Sequence, residues 1–388
     1  ATHHMERAVA LSEQASERER LFILASYYYG YLNDQEKAIE TYKLLLSLYP
    51  DHFWGNGNLA NHLESLGRLE ESYPYRLRSA DWRPNAWWGQ YDALQFAIAL
   101  DDAEGREKYL ATTRALAGGE PYVESGLAML PAYEQWVGGD YSAAARLLDG
   151  LVEEVGQEEL LADGWLFAHV RSLYLALGQL QRFHELEGWR QQPGWFQALV
   201  DLDSGNPETL ERFLETERYD YLVAALHALA GRPEKAREII DHPRTPQNLF
   251  RPTQMRHYNN FALGSVALAE EDWREAVERL SDYSMVLAIT AKHLHLYAMG
   301  LKAQALVALG DTDQAIEVLE IASLQRPLTP YEPGATYLWQ RNQVLLHRIY
   351  LQAGLDAAAE RVAGELQEML QVADADHPFL RALQPEGD

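Results

Sequence analysis

The chain has 388 residues, 58 acidic against 33 basic side chains for a formal charge of −25, 47% apolar residues and no cysteine. That apolar content can bury enough surface to offset chain entropy, which excludes wholesale disorder. The missing cysteines exclude disulfide frameworks, thiolate zinc sites and cysteine nucleophiles, and the net charge opposes nucleic-acid and anionic-membrane partners.

In chain order, Met5 to Ala15 reads as an N-terminal cap helix. Two similar units follow, each an amphipathic segment, a turn, a small residue, a second amphipathic segment and a proline; Pro50 and Pro84 lie 34 residues apart. The first unit turns at Asn33-Asp34 and continues through Ala38, Tyr42 and Leu45; the second turns at Gly67 and continues through Ser72, Arg76 and Ser79. The turn-to-small offset recurs from Gly139 to Ala144, Gly231 to Ala236, Gly310 to Ala315 and Gly354 to Ala359. A left-handed residue ends one helix, and a small residue one turn into the next lets the two backbones approach. A further turn is expected at 271 and a poorly marked one near 101–105. Between Gly178 and Gly231 the spacing breaks, with an extra helical piece from Trp195 to Glu217 bounded by Pro193-Gly194 and Asn206-Pro207. The end after Asp374 is expected to fray.

This pattern resembles the tetratricopeptide repeat family. It is carried by Asn58-Leu59-Ala60, Leu63, Leu66-Gly67, Glu70-Glu71-Ser72 and Pro84, and again by Ala303, Leu306, Leu309-Gly310-Asp311, Ala315, Leu319, Ala322 and Pro327. The resemblance implies an all-α, right-handed superhelical solenoid of about eight or nine antiparallel helix pairs, each stacked on its neighbours. The expected divisions are a cap helix over 1–18, repeats over 19–154, an irregular middle over 155–218, repeats over 219–372 and a tail over 373–388. Ser16-Glu17-Arg18-Glu19-Arg20-Leu21 looks like the repeat regions attached to bacterial serine/threonine kinases and signalling regulators. No kinase motif accompanies it.

In that family the first helix of each pair lines the concave groove. The corresponding positions in the N-terminal half are aromatic and amide-bearing: Tyr27, Trp54, Asn58, Asn61, Trp88, Tyr91 and Gln95. Rings cover side chains and amides pair with extended backbone, so this lining suits a peptide; the same rings also suit a core between helices. In the C-terminal half the first helices, 255–269, 293–309 and 335–353, carry no Asp or Glu. They supply Arg256, Tyr258, His293, Tyr297, Arg341 and Arg348, and the connector before them adds Arg244 and Arg251. The functional reading is a groove for an acidic segment, a terminal carboxylate or an anionic small ligand. Outward-facing acids that serve only solubility would sort the charges the same way. The carboxylate clamp of chaperone-binding members maps to Ile23, Tyr27, Asn58, Trp88 and Asp92; only Asn58 agrees, and Asp92 would repel the carboxylate.

Catalytic motifs are missing: there is no phosphate-binding Gly-x-x-x-x-Gly-Lys and no Gly-x-Ser-x-Gly elbow. His293 and His295 point about 200° apart on a helix, which prevents joint ligation of one metal in the usual way. Asp201-x-Asp203-x-Gly205-Asn206 has its glycine one place early for a calcium loop and Arg212 where the bidentate acid belongs. The expectation is a non-catalytic scaffold without cofactor or metal that binds a protein or peptide, acidic or carboxylate-bearing in the C-terminal half. No nucleic-acid partner and no membrane insertion are expected, since no run of about 18 apolar residues exists. The compartment stays open, with a soluble, cytoplasmic setting favoured; Ala1 to Glu6 have neither the basic nor the apolar region of an uncleaved leader. Apolar faces left open at either end would indicate self-association. The alternative is a ligand-binding or catalytic solenoid whose irregular middle closes a pocket with Trp165, Trp189 and Trp195.

Overall fold

A computed structural model describes residues 2–32, 34–189, 195–204, 207–215, 218–245, 252–281, 292–327 and 334–384. Among them the regular structure is helical throughout, with twenty-two α-helices in series and no strand. The chain divides into two compact units, one built mainly on residues 1–127 and one on 128–247, 256–283 and 293–388. This is the all-α array of antiparallel helix hairpins that the sequence pattern predicts.

The hairpins arise from one local device. Gly67, Gly139, Gly231, Gly310 and Gly354 all adopt positive φ between 71° and 83°, and Glu271 takes the same role at 61°. A left-handed residue there lets the chain leave one helix and reverse. The residue five places on, Ser72, Ala144, Ala236, Ala315, Ala359 or Ala276, is 0% exposed in every case, pressed between the two helices of its hairpin. Asp140, Asp272 and Asp311 directly follow their left-handed residues and accept a hydrogen bond from the amide three places on, at 2.8, 3.2 and 3.2 Å. Each satisfies an orphan donor of the second helix, a contribution of about 1 kcal/mol. Asp101 and Asp102 use the same arrangement at the poorly marked turn, with φ of 53° and a 3.0 Å bond from Gly105. Asn33 lies outside the described residues.

In the first unit α1 is Thr2–Leu11, and the hairpins are α2 and α3 (Glu17–Gly30, Gln35–Leu48), α4 and α5 (Phe53–Ser65, Leu69–Trp82), and α6 and α7 (Trp87–Ala99, Ala103–Leu116). Helix α2 opens with a capping box in which Ser16 Oγ accepts from Glu19 N and Glu19 Oε2 accepts from Ser16 N. The core passes from hairpin to hairpin through Leu21, Ala25, Ile39, Tyr42, Leu45, Leu59 and Leu63. Helix α8 (Pro121–Val137) carries the chain from the first unit into the second. At its start a Cβ on Gly126 would lie 1.8 Å from Tyr91 Oη and 2.3 Å from Cζ. In an open helix Gly→Ala stabilises by up to about 1 kcal/mol. Here the ring has to move, and Gly126→Ala should instead cost about 1–3 kcal/mol, read as a lower urea midpoint. An unchanged midpoint would show that Tyr91 yields freely.

The second unit continues with α9 (Tyr141–Ala162), broken at Gly156, and α10 to α13 (Gly164–Ala176, Leu180–Gly188, Trp195–Ser204, Pro207–Leu214). The irregular middle is thus two short helix pairs, although its expected bounding residues Pro193, Gly194 and Asn206 lie outside the described residues. Next come α14 and α15 (Tyr221–Leu229, Pro233–Asp241), α16 and α17 (Pro252–Ala269, Trp273–Ser281) and α18 and α19 (Lys292–Ala308, Thr312–Leu324). The series ends with α20 and α21 (Ala335–Gln352, Asp356–Met369) and α22 (Pro378–Ala382).

Two expectations are corrected here. Stacking is not confined to neighbours, because α20 packs on α10 from far away in sequence. Gln340 Nε2 donates to Ala176 O at 2.9 Å, satisfying a carbonyl at the end of α10. The described part of the tail, up to residue 384, is docked rather than frayed. Gln179 gives α11 no side-chain cap, and Asp374 Oδ2 supplies one from 193 residues away, accepting from Gln181 N at 2.8 Å. Phe379 is buried against Tyr337 with ring centroids 4.8 Å apart, and His377 Nδ1 caps α22 by accepting from Phe379 N.

Candidate functional site

In the first unit, Trp54 on α4 and Trp88 on α6 stack nearly parallel, 15° between planes and 6.2 Å between centroids. Trp54 is 51% exposed, an uncommon position for an indole unless something covers it. Phe53 packs edge-on against Trp88, and the Arg83 guanidinium lies 3.9 Å from the Phe53 ring centroid and 5.5 Å from that of Trp54. One turn along the same helices stand Asn58 and Asp92, and Asn61 follows on α4. Asn58 Nδ2 donates to Tyr42 Oη at 3.0 Å, while Asn61 Oδ1 accepts from Arg76 Nη2 at 2.6 Å. Arg76 is buried and also bridges Glu64 at 3.0 Å and Asp92 at 3.2 Å. The Asp92 side chain is 35% exposed. Burial there pushes its carboxyl up to about 6, with Arg76 opposing and Glu64 adding to the rise. Tyr91 and Gln95 are core positions, and Tyr27 stacks on Tyr31 at 5.0 Å. Phe53, Glu64 and Arg83 go unnoticed in the sequence, and Arg76 is read there only as a repeat position, because a family's groove positions mark first helices and omit what neighbouring residues lend to them.

In the second unit, His293, Tyr297 and Arg341 come together, but around a residue of their own chain. Arg341 Nε donates to both oxygens of Asp203 on α12, at 3.0 and 3.2 Å, and Tyr337 Oη donates to the same carboxylate at 3.3 Å. The guanidinium lies 4.9 Å from the Tyr297 ring centroid, and Trp195, also on α12, packs on Tyr297 and His293. The expected basic inner face therefore carries a carboxylate at its centre. Asp203 belongs to the stretch whose spacing fails as a calcium loop, and its partner lies 138 residues away, beyond the reach of any local pattern. Arg348 stands two turns along α20 from Arg341, exposed and with no carboxylate partner among the described residues. Tyr258 is half-buried on α16. The side chains of Arg256 and Arg251 lie outside the described residues.

Trp165, Trp189 and Trp195 do not share a pocket. Trp165 is 52% exposed, Trp189 lines a cavity of about 70 Å³ with Asp149, Tyr174 and Arg182, and Trp195 packs against α18. Among the described residues no cluster of His, Asp and Glu could hold a metal ion, and no helix is long and apolar enough to cross a membrane.

Residues 21–52, which hold most of α2 and all of α3, match the model of the tetratricopeptide repeat. That match covers a single hairpin, 32 of the 388 residues. Among solved structures it is similar to the tetratricopeptide repeat domain of P58(IPK), at 13% identity over 95% of this chain and 96% of that one, with a TM-score of 0.24. No curated protein sequence matches the chain.

Proposed function

We propose that this chain is a tetratricopeptide-type, non-catalytic scaffold that holds a peptide segment of a partner protein against the first helices of its first unit, in signalling or complex assembly. The reading rests on the stacked Trp54–Trp88 pair, in which Trp54 is exposed and Trp88 half-buried. Large rings with water-accessible faces, beside polar groups already fixed in place, supply binding energy with little ordering cost. Asn58, Asn61 and Asp92 then serve the peptide backbone or a polar side chain. The expectation of an acidic partner at the C-terminal arginines narrows, because Asp203 already takes Arg341.

The test is a set of peptides selected by display on the wild-type chain. Truncating both indoles (Trp54→Ala with Trp88→Ala) should weaken them about 30-fold or more, at roughly 2 kcal/mol for a central ring. Binding should persist at high salt, since an aromatic contact is little screened. Peptides that bind the double variant undiminished would discard the reading.

A further inference from the structure

Arg341, Val344, Leu345 and Arg348 recur at helical spacing on α20, so they share one face. That face forms one side of a cavity of about 170 Å³, completed by Asp203, Gln304, Pro378, Phe379 and Ala382. The lining is two-sided in character. Val344, Leu345 and the α22 residues, Phe379 among them, supply apolar surface, and two guanidinium groups with one carboxylate and one amide supply the polar part. Asp203 takes only the Nε edge of Arg341, leaving both Nη groups unclaimed by it. Two arginines against one aspartate make the cavity net positive in a chain of charge −25. An empty apolar cavity of about 150 Å³ is large enough for benzene, so the volume here suits one ring or branched aliphatic group.

We propose that this cavity binds a monocarboxylate with a compact apolar body, its carboxylate on Arg348 and Arg341 and its body against Val344, Leu345 and Phe379. Guanidinium forks match carboxylates in geometry and charge, and the apolar surface rejects inorganic anions, which gain nothing from it. The same chemistry is presented by a free small acid and by the last residue of a protein chain. The proposal stands apart from the Trp54–Trp88 face and does not depend on it.

The probes are 3-phenylpropanoate, 4-methylpentanoate, 3-phenylpropanamide, and a hexapeptide ending in phenylalanine with a free or an amidated terminus, titrated calorimetrically into the full chain. Acids of this size should bind with a dissociation constant of about 0.1–1 mM. The neutral amide should bind at least about tenfold more weakly, and Arg348→Ala should weaken the acids by a similar factor. Leu345→Trp fills the cavity and should abolish binding; should that variant fail to fold, the acid–amide ratio and the exposed Arg348→Ala variant still decide. Tighter binding of the free-terminus peptide than of the small acids identifies a chain terminus as the ligand, and the reverse order a free acid. Equal binding of acid and amide, binding that survives Arg348→Ala undiminished, or no saturable binding of any probe at roughly 10 mM overturns the proposal.

Discussion

Asp203→Ala should destabilise the second unit by about 3–5 kcal/mol, far more than the loss of a surface acid. The side chains of Arg341 and Asp203 are only 18% and 13% exposed, so removing the carboxylate leaves a desolvated guanidinium and the Tyr337 hydroxyl without their acceptor. Burial works against the charge of Arg341, and Asp203 foremost among its neighbours more than restores it, holding the guanidinium above its ordinary value. Burial likewise raises Tyr337 well above the usual phenol range, so it stays protonated as the donor. Replacing both partners with apolar residues (Arg341→Met with Asp203→Leu) should recover most of the loss, because neither charge then needs a partner. Urea denaturation of wild type and the three variants completes the cycle. A cost below about 1 kcal/mol for Asp203→Ala would mean that water reaches Arg341 and that the pair does not hold α12 against α20.

That ion pair also marks the limit of what the sequence can tell. The hairpins were legible because a left-handed turn and a buried small residue five places later are both local demands, and Gly310 with Ala315 meets them as plainly in the sequence as in the fold. The Trp54–Trp88 pair was half legible: helical spacing put both rings on first helices, while Arg83 and Phe53 enter from a connector and a helix start. The closure of the second unit was not legible at all. Gln340 to Ala176, Arg341 to Asp203 and Asp374 to Gln181 join residues 138 to 193 places apart, and a helical period carries no information at that range. A first helix with no acid of its own looks like an open basic groove until a distant segment brings the acid to it.

The second large effect is on acid, and it should begin at α22. His377 is 1% exposed, and burial, with Asp376 opposing and Arg381 assisting, pulls its imidazole down to about 4. In the unfolded chain an imidazole titrates near 6.5. Between those two values the unfolded state binds the extra proton, so stability from this ring is complete above about pH 6.5, falls as pH drops, and is fully lost below about 4. A gap of that width corresponds to about 3 kcal/mol at most. His169 and His293, also in the second unit and also near 4 through burial, act in the same direction. In the first unit His62, again near 4, is partly countered by Asp92, whose raised carboxyl favours the folded state as pH falls below 6. The two units should therefore part on acidification, the second loosening first. Protonation of His377 has a further local effect, because Nδ1 can no longer accept from Phe379 N and α22 loses its cap. Hydrogen exchange followed by mass spectrometry should show 377–384 opening below about pH 5 before either unit melts. His377→Asn supplies a cap that does not titrate and should keep α22 closed at that pH. Opening of the variant at the same pH as wild type would place the acid-labile group elsewhere, with His169 and His293 next to be replaced.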